Sequence, residues 1–340
     1  MRIAIVTDAW APQVNGVVRT LTAVVGMIRA DGHVVEIISP DRFASIPCPS
    51  YGEIRLALPG RGAVGRILAD FAPDAIHIAT EAPLGVGARR WCLGSGRAFT
   101  TAYHTQFPDY AAARTHMPAD WFWRYMRWFH RPAAAVLAAT PTLRQSLGER
   151  GIGPLKPGGR GVDLSLFSPD APPPAVFRDL PRPIQLYVGR VAVEKNIGAF
   201  LDTRHPGSRV IVGEGPALAT LAQRHPDALF MGALSGEALA GAYAGADVFV
   251  FPSRTDTFGL VMIEAMACGT PVAAYPVPGP QDVLTPQTGM LDEALDRAIA
   301  GALELAPADC VAGARRFTWR RSADEFLDAL VPVHSLAVAA

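Results

Sequence analysis

Charge of either sign is scarce in this chain of 340 residues: Asp, Glu, Lys and Arg make up 18% of it, against about 25% in an average soluble domain. Lys and Arg together number 31, as do Asp and Glu. No surplus of cations exists to displace the counterions of a nucleic acid, so a nucleic-acid partner is not expected. Cysteine is sparse too. Cys48, Cys92, Cys268 and Cys310 stand far apart with no Cys-x-x-Cys pair, which argues against a disulfide framework or a cysteine zinc site and fits a reducing compartment. No run of 18 apolar residues occurs, so no membrane-spanning helix is expected. The first residues, Met1-Arg2-Ile3-Ala4-Ile5-Val6, meet Thr7-Asp8 too soon for a signal peptide, and a cytoplasmic location is the expectation. Contact with the inner face of a membrane stays compatible with so low a charge fraction.

What the chain has is apolar mass. Half of its residues are hydrophobic, enough to bury a large core and to exclude disorder. At about 150 residues per domain the length predicts two domains. Arg2 to Thr7 is a β-branched run ending in polar residues, the pattern of a buried parallel strand. A helix from Val17 to about Ala30, a stop at Asp31-Gly32 and a strand over His33 to Ser39 complete a βαβ unit. Further strands are predicted at Ala75–Ile78, Phe99–Tyr103 and Val136–Ala139. Between 168 and 183, six of 16 residues are proline, which predicts a linker. The alternation then restarts, with strands predicted at Ile184–Val188, Arg209–Val212, Ala228–Met231, Asp247–Phe251 and Pro271–Ala274. Helices are predicted at Gly259–Ala267, Leu291–Leu305 and around Arg320–Leu330. The expected class is α/β with two Rossmann-like doubly wound domains, 1–167 and 184–318, joined by the linker 168–183. Residues 319–340 form a last helix expected to pack back on the first domain. Ligands of such sheets sit at the carboxyl ends of strands, so a cleft between the halves is the default site.

Two segments could carry chemistry. Ser253 to Pro271 leaves an apolar strand and opens a helix at Gly259, with Asp256 before the helix and Glu264 eight residues on. Free N–H groups at such a helix start suit a phosphate, and a carboxylate further in can reach a neighbouring hydroxyl. Equally, Asp256 could only cap the helix and Glu264 be a solvated helix residue. The second segment, Val188-Gly189-Arg190-Val191-Ala192-Val193-Glu194-Lys195-Asn196, follows the first strand of the second half. Arg190 and Lys195 there would neutralise a diphosphate leaving group, or form a solvated pair with Glu194 as counter-ion.

Gly-Arg-x4-Lys followed by a carboxylate-x7-Glu segment ending Ala-Met-Ala-Cys-Gly-Thr-Pro-Val resembles the retaining glycosyltransferases of family 4, which have the GT-B fold. The likeness covers nearly the whole chain. It continues in Asn15-Gly16-Val17, in His104-Thr105-x-Phe107-Pro108, in Gly161-Val162-Asp163 and in Gly213-Glu214-Gly215-Pro216. The resemblance implies that Arg190 and Lys195 hold a nucleotide diphosphate, that Glu264 accepts hydrogen bonds from ribose hydroxyls, and that Asp256 sits near the transferred sugar. It implies Gly16, Gly189 and Gly213 as close-approach positions, main-chain N–H groups at Phe258, Gly259 and Leu260 facing the phosphates, and His104 lining the sugar and acceptor pocket. Transfer would retain the anomeric configuration. Asp256 stands where most of the family has Glu, and Arg160 where Asn commonly precedes Gly-Val-Asp. The chain contains no Asp-x-Asp, so neither a metal nor any other cofactor is expected and the cations would serve the diphosphate.

A lone His after a strand is more often structural, and His104 gains its role only from the resemblance. The other histidines do not pair at metal-ligand spacing. In Asp120 to Arg131, a helix would put Trp121, Tyr125 and Trp128 on one face and Arg124, Arg127 and Arg131 in a stripe on another. That suits an anionic membrane surface; the alternative is aromatics in the core with solvated arginines outside. The pattern is similar to bacterial enzymes that glycosylate diacylglycerol and to related mannosyl- and sulfoquinovosyl-transferring enzymes. The expected partners are therefore a nucleotide sugar, UDP-linked ahead of GDP-mannose, and a lipid acceptor. A GDP-mannose-dependent alpha-mannosyltransferase with another acceptor, a sugar-nucleotide epimerase and a non-catalytic nucleotide-sugar-binding protein are the alternatives.

Overall fold

The computed structural model describes residues 1–13, 15–48, 51–104 and 117–334. The chain divides into two compact units, Met1–Arg160 with Trp319–Ala340, and Gly161–Thr318.

The first unit is built on β1 (Arg2–Val6), α1 (Gly16–Ala30), β2 (Val34–Ile38), the hairpin β3 (Ser45–Cys48) and β4 (Tyr51–Ala57), α2 (Ala63–Phe71), β5 (Ala75–Ile78), α3 (Pro83–Gly94), β6 (Thr100–Tyr103), α4 (Ala119–His130), β7 (Ala135–Ala138), α5 (Pro141–Glu149) and β8 (Leu155–Pro157). Its main sheet has the order β2-β1-β5-β6-β7-β8 and its strand pairs are parallel, with Ile3 opposite both Val35 and Ala75. Ile3 to Val6 are wholly buried because helices cover both faces of such a sheet. In α1 the apolar stripe Val18, Leu21, Val24, Val25 and Ile28 faces inward, at the spacing of one helix face. The helix ends before Gly32, whose φ of +83° lies in the left-handed region.

The second unit comprises β9 (Ile184–Val188), α6 (Ile197–Leu201), β10 (Ser208–Val212), α7 (Leu218–Arg224), β11 (Leu229–Phe230), α8 (Gly236–Ala244), β12 (Val248–Phe251), α9 (Leu260–Ala267), β13 (Val272–Ala274), α10 (Pro280–Val283), β14 (Gly289–Leu291), α11 (Leu295–Ala302) and α12 (Pro307–Ala314). Its parallel sheet runs β11-β10-β9-β12-β13-β14, so both units are Rossmann-like.

Two features differ from the sequence expectation. The unit boundary falls at Arg160, ahead of the proline-rich segment, and residues 161–183 belong to the second unit. Pro172 and Pro173 lie against Gly241 and Gly245, where any Cβ would collide with Pro172 O at 2.1 Å or Pro173 Cβ at 2.8 Å, and Phe177 is buried. Prolines set as a packed strap lose little chain entropy on ordering, so proline density marks packing here. The second difference is at Leu291, expected to start a helix running to Leu305: it ends β14 (Gly289–Leu291) beside β13, and the helix α11 spans Leu295–Ala302. The last helix, α13 (Trp319–Ala329), joins the first unit: Ala323, Phe326 and Ala329 share a core with Leu21, Val24, Val25 and Ile28 of α1.

Candidate active site

In the second unit, the sequence-predicted residues collect at the carboxyl ends of β9, β10 and β12. Arg190 to Asn196 leaves β9 as a short loop tied to its surroundings by hydrogen bonds. Val191 N–H donates to Glu214 O at 2.8 Å, the Tyr187 hydroxyl donates to Arg190 O at 2.9 Å, and the Asn196 side chain donates to Pro252 O at 3.1 Å. Asn196 adopts φ +54°, a left-handed turn that Asn tolerates better than most residues. This turn aims Lys195 at the loop after β12. The Lys195 ammonium donates to Asp256 Oδ1 at 2.5 Å, while Arg190 lies 4.0 Å from Glu194. Both pairs are part-exposed, so each cation can exchange its carboxylate for a ligand phosphate at little cost. Burial and the nearby Asp256 and Glu194 carboxylates push the Tyr187 hydroxyl well above the usual phenol range, which keeps it a donor to the loop.

Gly189 and Gly213 hold φ of +151° and +141°. A Cβ on Gly213 would lie 1.9 Å from Gly189 O, so glycine is required for the two loops to approach. Gly259 opens α9 at φ +84°, and no side chain caps that helix start among the described residues. Phe258 is buried, its ring edge-on to Phe317 with centroids 5.7 Å apart; only its main chain, with those of Gly259 and Leu260, can serve a ligand. Glu264 is not a solvated helix residue. It is 2% exposed, and the Tyr243 hydroxyl on α8 donates to its Oε2 at 3.0 Å. Asp256 does not cap a helix either; it is the partner of Lys195.

The first unit holds the other expected residues. Gly16 begins α1, and the Asn15 side chain accepts from Val17 N–H and Val18 N–H at 3.0 Å each. His104 follows β6, and its Nδ1 accepts from Arg160 Nη2 at 2.9 Å. Thr105, Phe107 and Pro108 of the same motif lie outside the described residues. On α4, Trp123, Met126, Phe129 and His130 are buried, while Trp121 is 63% and Trp128 46% exposed. Tyr125 is half-buried and its hydroxyl donates to Glu81 O. The core reading therefore holds for Trp123 and Phe129 and fails for Trp121 and Trp128, which share the outer side with exposed Arg124 and Arg131 and half-buried Arg127. The Arg89 guanidinium stacks on Trp128 at 3.9 Å.

Residues 14–166 match the family described as Glycosyltransferase Family 4, and residues 182–306 that described as Glycosyl transferases group 1. A GDP-mannose-dependent alpha-mannosyltransferase of Mycobacterium tuberculosis is 34% identical over 316 residues, 86% of this chain and 83% of that one. The chain belongs to the family 4 glycosyltransferases. A second M. tuberculosis relative, a GDP-mannose-dependent alpha-(1-6)-phosphatidylinositol dimannoside mannosyltransferase, is 26% identical and covers 97% of this chain and 96% of its own. Among solved structures, a sucrose-phosphate synthase from Thermosynechococcus elongatus superposes with a TM-score of 0.75 over 96% of this chain and 97% of that one, at 23% identity. Family 4 membership and this likeness make the two Rossmann-like units those of a GT-B glycosyltransferase, and a nucleotide sugar is its donor.

Sequence reasoning missed three supporting residues. Tyr243 was silent because its partner Glu264 is 21 residues away. Asn196 stands directly after Lys195, and a Lys-Asn pair at a strand end could have announced the left-handed turn. Arg160 has no role readable from its neighbours in sequence, because its partner His104 is 56 residues away.

Proposed function

We propose that this glycosyltransferase retains anomeric configuration, needs no metal ion at the diphosphate, and moves a hexose from a nucleotide sugar to a lipid acceptor. The observation that carries the reading is the contact of Lys195 with Asp256 beside Arg190, where cations and a carboxylate share one edge of the second unit. A diphosphate binding there meets Arg190 and Lys195, which neutralise charge as it develops on the leaving phosphate. Asp256, exchanged at Lys195 for the diphosphate, leaves a carboxylate at the same edge, near the sugar. Main-chain N–H groups at Phe258 to Leu260 supplement the cations, and Glu264 accepts from the ribose. The bond from the anomeric carbon to the diphosphate oxygen breaks as the acceptor oxygen bonds on the same face, and the acceptor proton passes to the leaving phosphate. For the lipid acceptor, support comes from the relative whose name specifies phosphatidylinositol dimannoside. The exposed Trp121 and Trp128 among Arg124, Arg127 and Arg131 suit a peripheral position on an anionic membrane.

The test is incubation with radiolabelled sugar nucleotides, with and without lipid extract. GDP-mannose, which both relatives are named for, is tried ahead of the UDP-sugars expected from the sequence. Label in the organic phase supports the reading. An altered sugar in the aqueous phase means an epimerase, and binding without turnover a non-catalytic protein.

A further inference from the structure

Arg160 directly precedes Gly161-Val162-Asp163, and its surroundings in the first unit are specific. Its Nη1 donates to the carbonyls of Gly158 and Gly159 at 2.6 and 2.9 Å, and its Nη2 to His104 Nδ1 at 2.9 Å. The loop that presents it is clamped by α13: the Ser322 hydroxyl donates to Gly159 O at 2.8 Å, and a Cβ on Gly159 would lie 2.6 Å from Glu325 Oε2. The guanidinium thus has a fixed place, set by a helix more than 150 residues further along the chain.

A guanidinium only donates. We propose that Arg160 is a positioning residue for His104, occupying the Nδ1 lone pair and so fixing the ring as the neutral tautomer with its hydrogen on Nε2. A histidine with neither constraint samples both tautomers and, near pH 6.5, the imidazolium. Here the cation beside Nδ1 opposes protonation. Among the described residues, the other ionisable groups facing the pair are His77 on β5 and His130 on α4 beside His104, and Glu325 on α13 beside Arg160. Neither histidine supplies an anion that would favour an imidazolium, and burial with the Arg160 charge holds His104 well below the ordinary histidine range. His130 is itself held by Thr101 Oγ1 at 2.8 Å and by Glu81 Oε1 at 3.2 Å. His104 is therefore a neutral Nε2–H donor across the working pH range and not a base at that nitrogen. Resting on the reading that His104 meets the sugar or acceptor, this makes its contribution a hydrogen bond to a substrate oxygen.

The test is 15N–1H correlation of the His104 ring in the full chain between pH 5 and 8, with the signal assigned by its loss in His104→Gln. The wild-type protein should show hydrogen on Nε2 alone and no titration. Arg160→Gln should mix the tautomers and raise the pKa, Arg160→Lys should restore the single tautomer, and kcat should fall about tenfold in Arg160→Gln with donor KM unchanged. A wild-type ring that titrates near 6.5, or an Arg160→Gln protein with the wild-type tautomer and titration, overturns the inference. A tautomer change without loss of turnover upholds Arg160 as the residue that positions the ring and removes His104 from the reaction.

Discussion

The carboxyl edges of the two sheets solve opposite electrostatic problems. In the second unit the polar groups are charged, part-exposed and paired across loops, as Lys195 with Asp256 and Arg190 with Glu194. In the first unit, beside the Arg160 cation, Asp8 and His77 are buried and biased toward their neutral forms. Burial raises the Asp8 carboxyl to about 6 against hydrogen bonds from Leu84 N–H and the Thr80 hydroxyl, and lowers His77 to about 3. An edge that stays charged can exchange its ion pairs for a diphosphate. A buried edge whose carboxyl and imidazole groups are biased toward their neutral forms carries less unpaired buried charge. One fold class carries both edges because the sheet sets only where the groups emerge.

The comparison breaks first at the charged edge. Lys195→Ala and Arg190→Ala should each lower turnover on the order of 100-fold, since each removes charge that matters most as the diphosphate leaves; near-normal rates in steady-state assays would deny the edge its role. Gly213→Ala should destabilise the second unit by about 2–4 kcal/mol, combining left-handed strain with the collision at Gly189 O, which urea denaturation would read. Glu264→Gln should raise donor KM about tenfold while leaving the melting temperature near that of the native protein, because Gln still accepts from Tyr243. An unchanged KM would leave Glu264 as a core residue only.

At the buried edge the test is pH. Asp8 has a folded pKa above its unfolded value near 3.8, so its contribution to stability is present when it is protonated and is lost as pH rises from about 4 to 6. His77 works in the other sense, its depressed pKa removing stability as pH falls below about 6.5. The two slopes oppose each other between pH 4 and 6. Asp8→Asn should therefore steepen the loss of stability on acidification across that window, by on the order of 2 kcal/mol at most, as measured by melting temperature against pH. The smallest effect is on the surface. Replacing Arg124, Arg127 and Arg131 with Gln should reduce co-sedimentation with anionic vesicles by a few-fold, and unchanged sedimentation would mean that the outer face of α4 does not meet lipid.

Much of this was legible in the residues. Ala75–Ile78 and Ile184–Val188 are the strands their apolar runs predict, and α1 and α9 differ from prediction by one residue at their starts. The Arg190 and Lys195 spacing identified the charged edge because both residues leave one strand end. Less was legible where partners are distant. The β3–β4 hairpin has no clear alternation, β8 is three residues long, and the burial of Glu264 depends on Tyr243.

Local pattern alone determined the two α/β halves, the family and the cationic edge, because strand runs, helix stripes and the Gly-Arg-x4-Lys spacing are written over a few consecutive residues. Only the tertiary structure decided that the proline-rich segment packs as a strap within the second unit, that Glu264 is buried, and that Arg160 meets His104 across 56 residues of chain. Each of these depends on which side chain arrives from elsewhere in the fold, and no periodicity along the chain encodes that arrival.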